Sequence, residues 1–390
     1  MKSNEIVLLQ HCENDWTALK PLFENHVQAT IYRTAKRLIQ KGLLNKKGAR
    51  YKTTAEGLKI LASQKSEDLK DILQEAYPPL SLIPSSQHRA LVELIFFAIS
   101  VKMWQQVTDH LPSFAIFGET LRWKSSCALF ICHALGLAPE QYLVDLSTES
   151  GRSIWLRKTA TGDVVFKRSL LDAKFVVFDE YMLATSRVKT AVGYFISGRR
   201  TVPIENESIA IKPVALLTSN PKAEGNLERK TSFSAPQLRR LVILDTDKIQ
   251  LPDLAITGNK AIDIARKHNP LVIAEPKFDC RQYRAAIVKT MRRILTASAC
   301  SLVDFEMLLH LCSGATSFIP QPEDAIKHAL HAYCTVVDTL GFLKENWFHA
   351  ISAFTTTGNR EENTEPEMTP EISTGQIINL YPLGKEKNHG

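Results

Sequence analysis

The stretch Ser113–Gly136, SFAIFGETLRWKSSCALFICHALG, limits the possible folds more than any other part of the chain. SFAIF is a short, apolar run of the length of a buried strand, and KSSCALFICHALG is apolar enough for a helix packed against it. Only the six residues GETLRW separate them. A buried strand that passes through a short loop into a buried helix is the repeating unit of α/β proteins, in which helices cover both faces of a parallel sheet. The expected fold class is therefore α/β.

The loop between strand and helix carries a chemical pattern. Gly118, Lys124 and Ser125 stand where a phosphate-binding loop has its first glycine, its lysine and its hydroxyl, but Trp123 replaces the second glycine. In such a loop the backbone N–H groups from Gly118 through Glu119, Thr120, Leu121, Arg122, Trp123, Lys124 and Ser125 to Ser126 cradle phosphates, helped by the helix N-terminus. Lys124 would reach the β- and γ-phosphates and Ser125 would bind Mg²⁺, so ATP and Mg²⁺ are the expected cofactors. An indole beside phosphates must point away from them, and an interface between subunits is one place for it. Taken alone, spacing of this kind also arises by chance.

Three more segments fall in a compatible order. AKFVVFDEY is a second buried strand, and it ends in Asp179–Glu180, fifty-five residues after Lys124. Asp179 would hold Mg²⁺ and Glu180 would orient and deprotonate the attacking water; a strand that merely ends in an acidic turn reads the same. PVALLTSNP is a third strand, ending in Thr218, Ser219 and Asn220, forty residues after Glu180. A polar side chain there can position the lytic water. In APQLRRLVILD, Arg239 and Arg240 precede a fourth strand. In a ring of subunits an arginine here would enter the neighbour's site; alone, the pair also suits a plain surface.

The 390 residues allow two or three domains. Residues 1–65 read as a winged helix-turn-helix: NEIVLLQHC as a first helix, DWTALKPLFE as a second and ATIYRTAKRLIQKGLL as a third, with Ile31, Ala35, Leu38 and Ile39 on one face. Gly42 stops the third helix, a basic hairpin follows, and Thr54 caps the next helix. Tyr32, Arg33, Lys36 and Arg37 on the third helix, with Lys47, Arg50 and Lys52 on the wing, are the candidate DNA contacts. A protein-binding winged helix with a solvated basic face is the other reading. Residues 66–85 read as a linker, 86–255 as the α/β core, 256–355 as a helical lid with further helices, and 356–390 as a disordered tail whose QIINLYPL reads either as a plain apolar spot or as a docking motif for a replication partner.

Basic residues exceed acidic ones, 48 to 41, which is compatible with a nucleic-acid partner. The seven cysteines form no CxxC pair, which argues against a disulfide framework and a zinc site. No apolar run reaches the roughly 18–20 residues that span a bilayer, and the N-terminus lacks the pattern of a signal peptide. A cytoplasmic, nucleoid-associated protein with no membrane partner is expected.

Together the loop, Asp179–Glu180, Asn220 and the arginine pair resemble the AAA+ ATPases. Between loop and acidic strand, SIWLRKTATGDVVFKRSLLD reads as a hairpin, Ile154–Lys158 and Val164–Arg168 about a turn at Thr161–Gly162, lined by Arg157, Lys158, Lys167 and Arg168. The minichromosome maintenance (MCM) helicases and their relatives carry a similar hairpin insert here. LIPSSQHRALVELIFFAI is similar to their lead-in, where Pro-Ser precedes a helix bearing a His, and VGYFISGRRTVPIENESIAIKPVALLTSNP to their hairpin before the Asn strand. The resemblance covers roughly residues 80–247. It implies a P-loop AAA+ core with a helical lid, a homo-hexameric ring on DNA, Arg240 as the finger, and a basic insert contacting DNA. MCM loops commonly carry Ala where Trp123 stands, so a glycine is not obligatory there. Two departures are plain. Glu205, Asn206 and Glu207 stand near a hairpin tip where MCM proteins usually present a Lys to DNA, and the N-terminal barrel and zinc-binding part of cellular MCMs are absent. Arg281, Arg284, Arg292 and Arg293 are all open as lid sensors. The expected function is a helicase or translocase for replication of a plasmid, virus or mobile element. The alternatives are an ATP-switched initiator or loader that does not unwind DNA, and an ATPase-containing transcription regulator.

Overall fold

The computed structural model describes residues 17–24, 28–54, 75–105, 111–149, 156–158, 164–166, 173–196, 201–204, 207–210, 213–220, 232–233, 235–249, 254–345, 347–355 and 378–379, with 5, 8, 9, 11, 12, 57 and 73. The chain forms two compact units. One lies within residues 1–71 and includes 348–353; the other lies within 72–347 and 354–390.

In the first unit, strand β1 (Thr17–Ala18), helix α1 (Gln28–Gln40) and strands β2 (Leu44–Lys47) and β3 (Arg50–Thr53) surround a small core. The strands form an antiparallel sheet in the order β1-β3-β2. Ile31, Ala35 and Leu38 of α1 bury against Leu8, Leu9, Cys12, Leu19, Leu43, Leu44 and Tyr51. Two expectations are corrected. Thr34, not Ile39, completes the buried face, and Ile39 is 37% exposed. The second helix is not formed as expected: Thr17 and Ala18 pair with Tyr51 and Arg50, and only Lys20–Glu24 coils, as a 3₁₀ turn. Pro21 explains the break, because proline lacks the N–H and its ring clashes with the carbonyl four residues earlier. Helix α1 is closed by backbone bonds from Leu43 to Leu38 and from Gly42 to Ile39, the double closure that satisfies terminal carbonyls. Thr54 Oγ1 accepts the Gly57 N–H at 3.1 Å, which is an N-cap.

The second unit is mixed α/β. Helix α2 (Ser86–Gln105) leads into β4 (Ser113–Phe117) and α3 (Lys124–Ala134), then β5 (Leu143–Asp145). The hairpin β6 (Leu156–Lys158) with β7 (Val164–Phe166) follows, then β8 (Phe175–Asp179), α4 (Ser186–Ile196), the hairpin β9 (Thr201–Ile204) with β10 (Glu207–Ala210), and β11 (Val214–Ser219). Strands β12 (Ser232–Phe233) and β13 (Leu241–Asp245) come next, then helices α5 (Leu254–Lys267), α6 (Arg284–Ile294), α7 (Phe305–Ala315) and α8 (Pro322–Val337), and strand β14 (Ile378–Asn379).

Five strands form one sheet in the order β13-β4-β11-β8-β5, every neighbour parallel. This is the expected α/β class. The central strands β4 and β11 are buried along their whole length, and apart from Ser113, Thr218 and Ser219 at their ends they are apolar, as a sheet covered on both faces requires. All C-terminal ends point the same way, so β4, β8 and β11 deliver their last residues to one rim. Helices α2, α7 and α8 pack together. A Cβ on Gly314 of α7 would strike the Phe97 carbonyl of α2, so these backbones touch as only glycine allows. His328 of α8 bonds Glu93 of α2 at 3.0 Å within the same bundle.

Residues 356–377 and 380–390 of the tail lie outside the described residues, but Ile378–Asn379 pairs antiparallel with Ser232–Phe233. That pair corrects the expectation of a tail without structure throughout. The two inserted hairpins are present as β6–β7 and β9–β10; Thr161, Gly162, Lys167, Arg168, Glu205 and Asn206 lie outside the described residues.

Candidate functional site

The rim at the C-terminal ends of β4, β8 and β11 gathers the polar residues that the sequence singles out. Gly118 leaves β4 with φ 154°, and a Cβ on it would collide with Thr246 Oγ1. The loop then runs through Leu121 and Trp123 to the first turn of α3. Among the described residues, non-glycine residues take a left-handed backbone at three positions, Leu121 (φ 63°), Trp123 (φ 60°) and Glu180 (φ 54°), and all three are here. Such conformations cost about 1–3 kcal/mol each and persist where surrounding structure enforces them.

Trp123 is buried within its own chain. Its indole turns beneath the loop and is 5% exposed. It meets the edge of His88 at 5.4 Å and tilts against Phe130 at 6.2 Å, and its buried Nε1 has no partner. Leu121, at the loop tip, is 88% exposed.

Lys124 is buried and curls back to donate to the carbonyl oxygens of Gly118, at 2.8 Å, and Glu119. Burial pulls its pKa down, while Glu180, Asp247 and Asp179 oppose that pull. Ser125 Oγ donates to Asp179 Oδ2 at 3.5 Å. The other oxygen of Asp179 accepts from the Glu180 backbone N–H at 3.0 Å and from the Thr218 hydroxyl. Two donors on Oδ1 leave Oδ2 directed at Ser125. Burial and then the Asp179 charge raise the Glu180 carboxyl above its usual range; the Lys124 charge, and less strongly the bonded Asn220 backbone N–H, draw it back. Glu180 Oε2 is buried with no partner. A carboxylate oxygen in that state suits a water or hydroxyl brought by a ligand.

Two residues here, Asp145 and Asp247, carry no sequence signal of their own. Asp145 ends β5 opposite Asp179, and its charge adds to the upward push on Glu180. Asp247 Oδ1 accepts the Glu119 N–H at 2.8 Å, bracing the loop from the far side of β13. Ser219 Oγ accepts the Met182 N–H at 2.9 Å, which ties β11 to the turn after Glu180. Apart from the strand-end pattern, only the fold brings these groups together.

His88 also braces the loop. It is fully buried, with Nδ1 2.7 Å from Ser85 Oγ and Nε2 3.2 Å from the Arg122 carbonyl. Burial lowers its pKa to about 4, against the pull of the Arg122 carbonyl. The unfolded chain takes up that proton near 6.5 and the folded chain only near 4, so in between the unfolded state holds more protons. Stability should then fall as pH drops through this window, by at most about 1.4 kcal/mol per pH unit. Melting temperatures between pH 6.5 and 4.5 are expected to fall more steeply for the wild type than for His88→Gln. Equal slopes would assign the acid sensitivity elsewhere.

The structure does not bring Arg240 to this rim. It precedes β13 at the N-terminal edge of the sheet, where its carbonyl accepts the Ser113 N–H at 2.8 Å. Its side chain lies 3.9 Å from Asp304, and Arg239 Nε is buried without a partner. Of the lid arginines, Arg281 is held by Asp279 at 2.6 Å and Arg284 by Glu306 at 2.9 Å, while Arg292 and Arg293 are exposed in the last turn of α6.

In the first unit Tyr32, Arg33, Lys36 and Arg37 are exposed along α1, as are Lys47 and Arg50 on the hairpin, with Lys52 half-buried. Buried Glu5 engages Arg37 at 3.7 Å and Lys41 at 3.1 Å, so part of this charge is compensated. Lys46 stands over the Tyr51 ring. Arg157 and Lys158 lie on β6. No helix among the described residues is long and apolar enough to cross a membrane.

No family model matches the sequence, and no curated protein matches it. Among solved structures, the chain is similar to a full-length MCM homolog from Methanopyrus kandleri, at 16% identity over 73% of this chain, with a TM-score of 0.45. The chain spans 61% of the length of that homolog. It is also similar to a structure described as "a putative ATPase from Cytophaga hutchinsonii ATCC 33406", at 11% identity over 75% of this chain and 97% of that one, with a TM-score of 0.43.

Proposed function

We propose that this chain is an ATP hydrolase of the AAA+ type, similar to the MCM branch, that assembles as a ring and acts on DNA in replication. The observation that carries the reading is the convergence of Lys124, Ser125, Asp179 and Glu180 on one rim of a parallel sheet, with Asp179 held by Thr218 so that one oxygen faces Ser125. Three strained non-glycine residues at the same rim support it.

The residues suit the cofactors. Ser125 Oγ and Asp179 Oδ2 are hard oxygen donors of the type Mg²⁺ selects. A magnesium ion held there would neutralise charge on the phosphate oxygens. The Lys124 ammonium donates to two loop carbonyls, and it would exchange them for phosphate oxygens. Glu180, with its raised pKa and orphaned oxygen, would take the proton from the attacking water. Asn220, beside it, would hold that water in line. Arg240 would act on the site of a neighbouring copy. The exposed basic residues of α1 and the β2–β3 hairpin, together with Arg157 and Lys158 of the β6–β7 hairpin, would meet phosphate groups of DNA.

The test is ATP hydrolysis by the purified chain with and without single- and double-stranded DNA, followed by strand displacement. Turnover stimulated several-fold by DNA supports the reading. Absence of turnover at every salt concentration sinks it. A second reading, an ATP-switched initiator or loader, is favoured by the acidic tip sequence Glu205-Asn206-Glu207, where a DNA-gripping hairpin would carry a lysine. Its mark would be sequence-specific footprints with slow turnover.

A further inference from the structure

We infer that His88 is the positioning residue of the phosphate loop, and that in this chain the Trp123–His88 pair does what the second glycine does in the usual loop. The inference rests on the nucleotide reading of the site. Position 123 has φ 60° and ψ 22° and stands immediately before α3. Glycine takes that conformation without penalty, whereas an L side chain pays for it in steric clash. Trp123 must therefore be held in place by something outside the loop.

The hold is visible residue by residue. Ser85 Oγ accepts the His88 backbone N–H at 3.1 Å and donates to Nδ1 at 2.7 Å. The Arg122 carbonyl, 3.2 Å from Nε2, can only accept, so the neutral ring carries its proton on Nε2 and Nδ1 takes the Ser85 hydroxyl proton. The Arg122 side chain is tied in turn to the Ile249 carbonyl at 3.3 Å. In a trans peptide the carbonyl and the following N–H point in opposite directions. Fixing the Arg122 carbonyl toward His88 therefore fixes the Trp123 N–H toward the concave side of the loop, where an anion would sit. The indole closes the arrangement: it lies edge-on to the imidazole, with an interplanar angle of 88°, and against Phe130. Without the imidazole, the Arg122–Trp123 peptide is free to flip and relieve the strain, and the N–H leaves the cradle.

The experiment is equilibrium binding of a methylanthraniloyl-ADP probe with Mg²⁺ to the full chain. It compares wild type with His88→Ala and His88→Gln, and repeats His88→Ala in a Trp123→Gly background, with a nucleotide-free melt of each protein to identify folded variants. His88→Ala is expected to weaken binding at least about tenfold (one factor of ten per ~1.4 kcal/mol). His88→Gln, whose amide can still donate to the Arg122 carbonyl, should recover most of the loss. In the Trp123→Gly background the loss from His88→Ala should shrink below about threefold, because glycine reaches the conformation unaided. An unchanged affinity in His88→Ala, or an equal loss in both backgrounds, would overturn the inference while leaving the nucleotide reading intact. Absence of binding in every protein, Trp123→Gly included, would instead overturn the nucleotide reading and the inference with it. Should His88→Ala not fold, His88→Phe takes its place: it keeps the ring contact and loses both nitrogens, so binding as tight as that of His88→Gln would overturn the inference.

Discussion

Glu180→Gln is expected to lower ATP turnover by about 10²–10⁴-fold, the usual contribution of a general base, while nucleotide binding stays within a few-fold of wild type. The substitution is nearly isosteric. The glutamine carbonyl can still accept the Asn220 N–H, so the turn after β8 and the left-handed backbone at position 180 should survive. What is lost is the ability to take a proton. In the wild type that ability is tuned upward: burial and the charges of Asp179 and Asp145 bring the carboxyl closer to neutral pH, where a base is most effective. The measurement is steady-state phosphate release beside equilibrium binding of the methylanthraniloyl-ADP probe. Turnover within threefold of wild type would remove Glu180 from the chemistry. A parallel loss of binding would mean that it holds the loop instead.

The parts of this site that are legible in the sequence are those with a local signature. An apolar run with polar residues at its end marks β4, β8 and β11, and parallel strands deliver their ends to one rim, so the order of residues along the chain already groups Lys124, Asp179 and Asn220. Thr218, Asp145, Asp247 and His88 could not be given their roles in this way. Thr218 matters because β11 lies beside β8 in the sheet, and Asp145 because β5 lies on its other side. Asp247 reaches the loop only because β13 pairs with β4, in a register that sets Asp245 opposite Phe117. These are products of strand order, which no spacing along the chain encodes. The direction of the Trp123 side chain is likewise a tertiary fact, decided by where the start of α2 lies. In the first unit, the exchange of Ile39 for Thr34 on the buried face is one of phase: on a helix as short as α1 the apolar stripe is narrow, and a threonine at its centre buries more readily than an isoleucine at its margin. The strand at Thr17–Ala18 reflects pairing with a distant hairpin, which outweighs local helical preference.

Arg240→Ala is expected to reduce turnover by about 10³-fold or more if this arginine completes a neighbouring site. In its own chain it cannot. Leu241 pairs with Ser113 and Asp245 with Phe117, so the five residues of β13 separate Arg240 from the loop, a span of roughly 16 Å at about 3.3 Å per residue. Arg240 is 28% exposed and only loosely engaged by Asp304 at 3.9 Å, a geometry that leaves its charge available to a second copy. Mixing separates action within a chain from action between chains. Arg240→Ala alone keeps an intact loop, and Lys124→Ala alone keeps an intact arginine; each should be inactive. In an equal mixture, about one interface in four joins an intact loop to an intact arginine if subunits assemble in a ring with the same contact repeated. Recovery of a comparable share of wild-type turnover on mixing would place the active unit between copies. Inactive mixtures from subunits that still co-assemble would exclude the arginine from the neighbour's site. Full activity of Arg240→Ala would do so without any mixing, and would turn attention to Arg239, one residue away, whose buried Nε lacks a partner in the isolated chain.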